Sequence, residues 1–332
     1  MINSQLRKFQ DAALLAINSS LEVMNADGSF AGIEDNIVAY YKAPRALGLA
    51  GFQTEGATVL RYIKRSFFRM GDFNQGNNTY SLSSANYRNS WLSWGAHTLS
   101  SYELSYAAMD YLELAQHPTL GAMPSYCIPT THNQQLELGT TGAATVAYLF
   151  CGRLEPAIKA GEWLIESLNS QPKTEALLLQ QDWQGNWISN FPDNQSSRYE
   201  LQLGESGQTY WYLGIAMAAL SLLYKATSEQ RFLDAAEEYF ALACRCEPWS
   251  FEALTAAKVG WGSALLFECT NKKEHLTKAI QVGDMLTKTQ TENGWWIRQP
   301  AYDSFEGQPL ENSLDTSLER ACWLLEIVRA IS

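Results

Sequence analysis

Two kinds of helical segment alternate along nearly the whole chain, and the links between them alternate in length. GATVLRYIKRSFFR, EPAIKAGEWLIESL, EQRFLDAAEEYFALACR and KKEHLTKAIQVGDMLTK each place apolar residues on one helical face and charges on the other. Their partners are nearly uncharged: LELGTTGAATVAYLFCG has one charged residue, QTYWYLGIAMAALSLLY none and KVGWGSALLFECT two. A helix that is dry on every side must be surrounded by protein.

The periodicity predicts twelve helices, near 3–25, 35–50, 54–70, 86–97, 100–116, 134–151, 153–170, 207–226, 228–245, 256–270, 272–290 and 313–331. Short links join the second to the third (Gly51–Gln53), the sixth to the seventh (Gly152), the eighth to the ninth (Thr227) and the tenth to the eleventh (Asn271). Long links occupy 26–34, 71–85, 117–133, 171–206, 246–255 and 291–312. Helical hairpins separated by long loops account for this pattern. With the dry even-numbered helices inside and the wet odd-numbered ones outside, the expected fold is all-α. It is an (α/α)6 toroid or barrel of six helical hairpins, one domain spanning 1–332, with the long loops on one face. ALLLQQDWQGNWISNF in the longest link predicts a small β-hairpin on that face, turning near Gln184-Gly185-Asn186. An open superhelix of helical pairs is the alternative, but it needs a fixed repeat length and a consensus, and neither is present.

Composition narrows the partners. A net charge of −11 over 332 residues argues against nucleic acid or an anionic membrane surface. Six scattered cysteines (Cys127, Cys151, Cys244, Cys246, Cys269, Cys322) suit a reducing compartment, and the lone Cys244-x-Cys246 lacks a second pair at zinc spacing. No window has the apolar length of a signal peptide or a membrane span, so the expectation is a cytoplasmic protein, monomer or homodimer, with no metal and no cofactor.

Turns of one kind recur after the wet helices: NADGSF (25–30), MGDF (70–73) and ENGWW (292–296). Each reverses the chain at an Asp- or Asn-containing turn with glycine, then places an aromatic (Phe30, Phe73, Trp295) to plug the seam between hairpins. Leu286-x3-Gln290-x3-Gly294-x-Trp296 resembles the later part of the glutamine-tryptophan repeat of squalene/hopene-type terpenoid cyclases, and LEVMNADGSF is similar to its shortened form in protein prenyltransferase β-subunits. Both families are α/α toroids, which is what the resemblance implies here. Their catalytic signatures are missing: there is no Asp-x-Asp-Asp acid motif, no Asp-Asp-x-x-Asp magnesium motif and no recognisable Asp/Cys/His zinc set.

In such a toroid the site is expected where the long loops meet the N-termini of the inner helices, which favour oxyanions. The candidate catalytic residues there are Asp35, Tyr40, Lys42, Arg88, Glu137, Glu205 and Asp315. The candidate substrate-binding residues are Tyr41, Trp91, Trp94, His97, Tyr210, Trp211, Lys258, Trp261 and Trp296. Asp35 and Asp315 also read as helix caps, His97 as a core imidazole, and Pro44 as a kink in the second helix. A tryptophan-rich wall with a few carboxylates predicts a small-molecule cyclase or isomerase of secondary metabolism that folds a largely apolar terpenoid- or polyketide-like substrate. The alternative is a carbohydrate-active toroid, namely a sugar epimerase, unsaturated uronyl hydrolase or lyase, since aromatics also stack on sugars beside acid–base carboxylates. A non-catalytic binding protein is the third reading.

Overall fold

The computed structural model describes residues 2–74, 84–126, 134–192, 195–298, 301–302 and 304–332. Its helices are α1 (Ile2–Glu22), α2 (Ala43–Leu49), α3 (Gln53–Phe67), α4 (Ala85–Thr98), α5 (Tyr102–Ala115), α6 (Leu138–Phe150), α7 (Leu154–Asn169), α8 (Ser196–Tyr199), α9 (Trp211–Thr227), α10 (Gln230–Arg245), α11 (Trp249–Glu252), α12 (Ala257–Thr270), α13 (Lys273–Thr289) and α14 (Leu310–Ile331). The inner ring runs α2, α4, α6, α9, α12, α14 and returns to α2, each packing on the next. The outer helices α1, α3, α5, α7, α10 and α13 pack respectively on α14, α2, α4, α6, α9 and α12. This is the expected (α/α)6 toroid. The uncharged helices lie inside because only there can all their faces be dry.

Close backbone approach sets the ring's diameter. A Cβ on Gly214 of α9 would lie 2.2 Å from the backbone carbon of Lys258 on α12. The seams between hairpins repeat one device. Gly28 (φ +88°) presses a turn onto α3, where a Cβ would lie 2.3 Å from Thr58 O, and Gly121 (φ +78°) does the same against Lys159 O of α7. The aromatics that follow such turns are buried, Phe30 and Phe73 almost completely and Trp295 nearly so. At the closing seam, Ser19 Oγ of α1 donates to Asn293 O at 2.6 Å, and Gln290 Nε2 donates to Ala12 O at 2.9 Å.

Three local expectations are corrected. The second helix is not continuous over 35–50: a single 3-10 turn (Ile37–Ala39) precedes α2, and Pro44 lies in the first turn of α2, where a missing N–H breaks no hydrogen bond. Residues 136–137 are extended rather than helical, because Glu137 is the N-cap of α6 and pairs as strand β1 (Leu136–Glu137) with β3 (Gln180–Gln181). The turn at 182–186 is present, with Gly185 N donating to Asp182 O at 3.1 Å. The strand residues before it pair in part elsewhere: β2 (Ala176–Leu178) pairs with β4 (Glu200–Gln202), while the Gln181–Trp187 bridge and the bonds from Asp182 N to Asn186 O at 2.9 Å and from Ile188 N to Gln180 O at 3.0 Å span the turn.

Among the described residues no helix is long and apolar enough to cross a membrane, and no cluster of His, Cys, Asp and Glu could hold a metal. Cys151, Cys246 and Cys322 are buried free thiols and Cys244 and Cys269 are half-buried ones. Cys127 lies outside the described residues.

Candidate active site

The inner-helix N-termini and the long loops enclose a cavity of about 460 Å³. Its floor is built on α14, where Asp315 and Glu319 are one turn apart and share a face. Lys42, just before α2, reaches across with its Nζ 2.8 Å from Asp315 Oδ1, donates to Asp315 O at 3.2 Å, and pairs with Glu319 Oε2. Lys258, in the first turn of α12, pairs with Glu319 Oε1, which also accepts from Trp323 Nε1 at 3.1 Å. Glu319 is therefore held between two buried ammonium groups. Burial opposes its charge, but Lys258 and Lys42 overcome that and hold its carboxyl far below the usual range. Burial also works against Lys42, yet Asp315 and Glu319 outweigh it and raise Lys42 to about 12. Lys258 goes the other way. Burial, reinforced by the charge of Lys42, holds it below the ordinary lysine value despite Glu319.

Aromatic rings form one wall. Trp211 stacks on Tyr212 with centroids 3.9 Å apart, and Tyr87 meets Trp211 edge-on at 5.7 Å. Lys258 Nζ lies 4.9 Å from the Trp211 ring and Lys42 Nζ 4.9 Å from the Tyr41 ring, so both cations rest on π faces. Burial is the largest influence on the phenols of Tyr41, Tyr87 and Tyr212. Next come Asp315 for Tyr41, Glu319 for Tyr87 and Glu137 for Tyr212, and all three are pushed well above the ordinary tyrosine value. They stay neutral donors. Tyr212 donates to Glu137 Oε1 at 2.7 Å, while Glu137 Oε2 accepts from Thr140 N at 3.3 Å and Ser125 Oγ at 3.2 Å. Glu137 thus caps α6 and lines the cavity with the same carboxylate.

Arginines complete the lining. Arg88 donates from Nε to Asn74 Oδ1 at 2.8 Å, Arg298 donates to Asn312 Oδ1 at 2.7 Å, and Arg198 and Arg320 also face the cavity. In all, six cationic side chains and three carboxylates line it, in a chain whose net charge is −11.

Of the residues expected from sequence, Tyr41, Lys42, Arg88, Glu137, Trp211, Lys258 and Asp315 line this cavity together. The rest do not. Asp35 is exposed, and Asn36 caps the 3-10 turn in its place, accepting from Val38 N at 3.1 Å. Asp315 lies in the second turn of α14, which begins at Leu310, so it is no cap. Tyr40 braces a loop: its hydroxyl accepts from Phe30 N at 2.9 Å and donates to Ile33 O. Glu205 is exposed, and Tyr210 is buried, donating to Glu205 O at 2.5 Å. Trp91, Trp94 and Trp261 join Trp323 in an indole cluster, with Trp261 stacked on Trp323 at 4.7 Å and on Trp94 at 5.9 Å. They pack against one another in the core instead of lining the cavity. Trp296 is buried, its indole donating to Leu286 O at 2.9 Å. His97, near the C-terminal end of α4, packs edge-on against Tyr102 at 5.0 Å.

Sequence reasoning passed over Glu319, Arg320, Tyr87, Tyr212, Arg198 and Arg298. The signal for the first was present: Asp315 and Glu319 stand at i, i+4 on an inner helix, where two acids without cations nearby would not be tolerated.

No protein-family model matches the sequence, and no curated protein matches it. Solved structures do. The chain is similar to D-mannose isomerase (10% identity, 96% of each chain covered, TM-score 0.72). It is similar to cellobiose 2-epimerase from Bacillus thermoamylovorans B4167 (10% identity, 98% of this chain and 99% of that one, TM-score 0.70). A third is an inactive variant, with two consecutive aspartates replaced by alanine, of the α-1,6-mannanase of Salegentibacter sp. HEL1_6 in complex with α-1,6-mannotetrose (13% identity, 97% and 99% covered, TM-score 0.66). At these identities the likeness shows the fold, an α/α toroid. It overturns the terpenoid-cyclase reading, because the toroids this chain matches are sugar enzymes. The cavity supplies the physical reason: of the tryptophans expected to hold an apolar substrate, Trp91, Trp94, Trp261 and Trp296 are buried in the core, and Trp211 is left beside nine charged side chains.

Proposed function

We propose that this chain is a carbohydrate-active enzyme that moves a proton at a sugar carbon, as an isomerase or epimerase does. The observation that carries the reading is Lys258. Its amine is buried, held below the ordinary lysine value, fixed by Glu319 and flanked by Trp211, a ring face on which a sugar can stack. In its neutral form it takes the proton from the carbon next to an open-chain sugar carbonyl. The C–H electron pair becomes a C=C bond as the carbonyl oxygen gains negative charge, and that oxygen accepts from a neutral phenol, Tyr87 or Tyr41. In isomerisation the Lys258 ammonium returns its proton to the former carbonyl carbon while the hydroxyl proton of the neighbouring carbon passes to the former carbonyl oxygen; in epimerisation a second donor on the opposite face protonates the carbon that lost its proton, and Lys258 keeps the one it took. Glu319, locked in its charged form, positions the amine. The isomerase and epimerase on the same fold support this class. The mannanase reading has less support, since this chain contains no two consecutive aspartates.

The test is hydrogen–deuterium exchange at sugar C–H groups in D₂O, followed by NMR over a panel of aldoses, ketoses and uronic acids. Wild-type protein is expected to exchange the proton next to the carbonyl of at least one of them. Lys258→Met is expected to lose roughly a hundredfold or more of that rate. Exchange of no sugar, or full activity in Lys258→Met, would overturn the proposal.

A further inference from the structure

Among the described residues Arg320 has no counter-ion. It follows Glu319 on α14 and is only 7% exposed, yet its one hydrogen-bond contact among the described residues is a long one, Nη1 to Ile297 O at 3.5 Å. Among the described residues no carboxylate comes within the 4.0 Å that defines an ion pair. The two nearest acids are committed elsewhere, Glu319 to Lys42 and Lys258, and Asp315 to Lys42 with Arg298 3.8 Å away. A buried guanidinium left in this state is costly unless something else completes it. Its side chain borders the cavity, opposite no acid of its own. Beside it at the mouth stands Arg298, half exposed, its backbone N–H donating to Gln308 Oε1 at 2.6 Å and its guanidinium to Asn312.

Resting on the reading of this cavity as a sugar site, we infer that the substrate sugar carries an anionic group, a carboxylate or an ester oxyanion, and that Arg320, assisted by Arg298, receives it. A guanidinium offers the planar fork that two anionic oxygens match, and in this buried setting the bond is charge-assisted. Lys42 and Lys258 cannot fill that role, because Asp315 and Glu319 already neutralise them. Arg320 is a specificity residue, while proton transfer stays with Lys258.

Calorimetric titration at fixed ionic strength with D-glucuronate, D-glucose 6-phosphate and D-glucose tests this. At least one charged probe is expected to bind ten- to a hundredfold tighter than D-glucose, and which one does so identifies the anion as carboxylate or ester. Arg320→Met should abolish that preference, lowering the affinity for the charged probe at least tenfold more than that for D-glucose, and Arg320→Lys should restore part of it. Because Met removes an uncompensated buried charge, the thermal midpoint of Arg320→Met should be equal to or above that of the wild type. Equal affinity for charged and neutral probes, no binding of either charged probe, or a loss of affinity common to all three in Arg320→Met would overturn the inference. An anion preference that depends on Arg320, without any C–H exchange, would instead remove the proton-transfer reading and leave the anion site standing.

Discussion

Glu319→Gln is the substitution whose consequence follows most directly from the geometry. In the wild type one oxygen of Glu319 serves Lys258 and the Trp323 indole, and the other serves Lys42. Glutamine keeps one acceptor but no charge. Lys42 retains Asp315 at 2.8 Å, whereas Lys258 retains no carboxylate. Removing one partner of a buried pair costs about 3–5 kcal/mol, and with Lys42 still compensated the lower end, about 3 kcal/mol, is expected. At roughly 2.1 cal/mol/K of unfolding entropy per residue, a chain this long has an unfolding entropy near 0.7 kcal/mol/K, so Tm should fall by about 4 °C. Scanning calorimetry at neutral pH reads this directly. Adding Lys258→Met to Glu319→Gln should recover part of the loss, because it removes the stranded charge. The same pair predicts an acid limb. The folded pKa of Glu319 is depressed from its ordinary 4.5, so its contribution is complete above that value and is lost as pH falls toward the folded value. The single variant should lack that limb. A Glu319→Gln protein within about 0.5 kcal/mol of wild type, or a double variant no more stable than the single, refutes the assignment of Glu319 as the shared counter-ion.

Three more outcomes are expected. Sugar C–H exchange by the wild type should rise from neutral to mildly alkaline pH, since the neutral amine of Lys258 is the base and its pKa is displaced downward; a rate that falls over that range contradicts this role. Gly214→Ala should cost about 1–3 kcal/mol in urea unfolding, because its Cβ meets α12 backbone at 2.2 Å, and an unchanged midpoint would show that α9 and α12 can separate freely. Glu137→Ala should lose about 1 kcal/mol as the cap of α6 is removed, with the Tyr212 hydroxyl left without its 2.7 Å acceptor; unaltered stability would deny Glu137 the capping role.

The ring was legible because its signal is repeated. An uncharged QTYWYLGIAMAALSLLY beside an amphipathic EQRFLDAAEEYFALACR leaves few arrangements that dry one and wet the other. The site was legible only where a residue falls at an inner-helix N-terminus in sequence, as Lys42, Glu137, Trp211 and Lys258 do. Burial depth was not. Trp91 and Trp261 sit on helices that reach the cavity, but their indoles point at Trp323, and nothing in a one-dimensional pattern distinguishes an indole that lines a cavity from one that fills the core. Glu319 and Arg320 lie a turn or more into α14, too far along for a rule about helix starts. The family resemblance identified the toroid through seam turns such as ENGWW, which hold hairpins together and carry no chemistry, so it was informative about shape and misleading about substrate.

The Lys42–Glu319 contact joins positions 277 apart, and the Arg45–Glu326 pair behind it joins positions 281 apart. During synthesis on a ribosome the lysine therefore waits, hydrated, for an acid translated 277 residues later. Local hairpins can form long before that, but the floor of the pocket cannot. Activity should thus switch on only when α14 drops into place, and a chain halted before that helix would be largely folded and chemically silent.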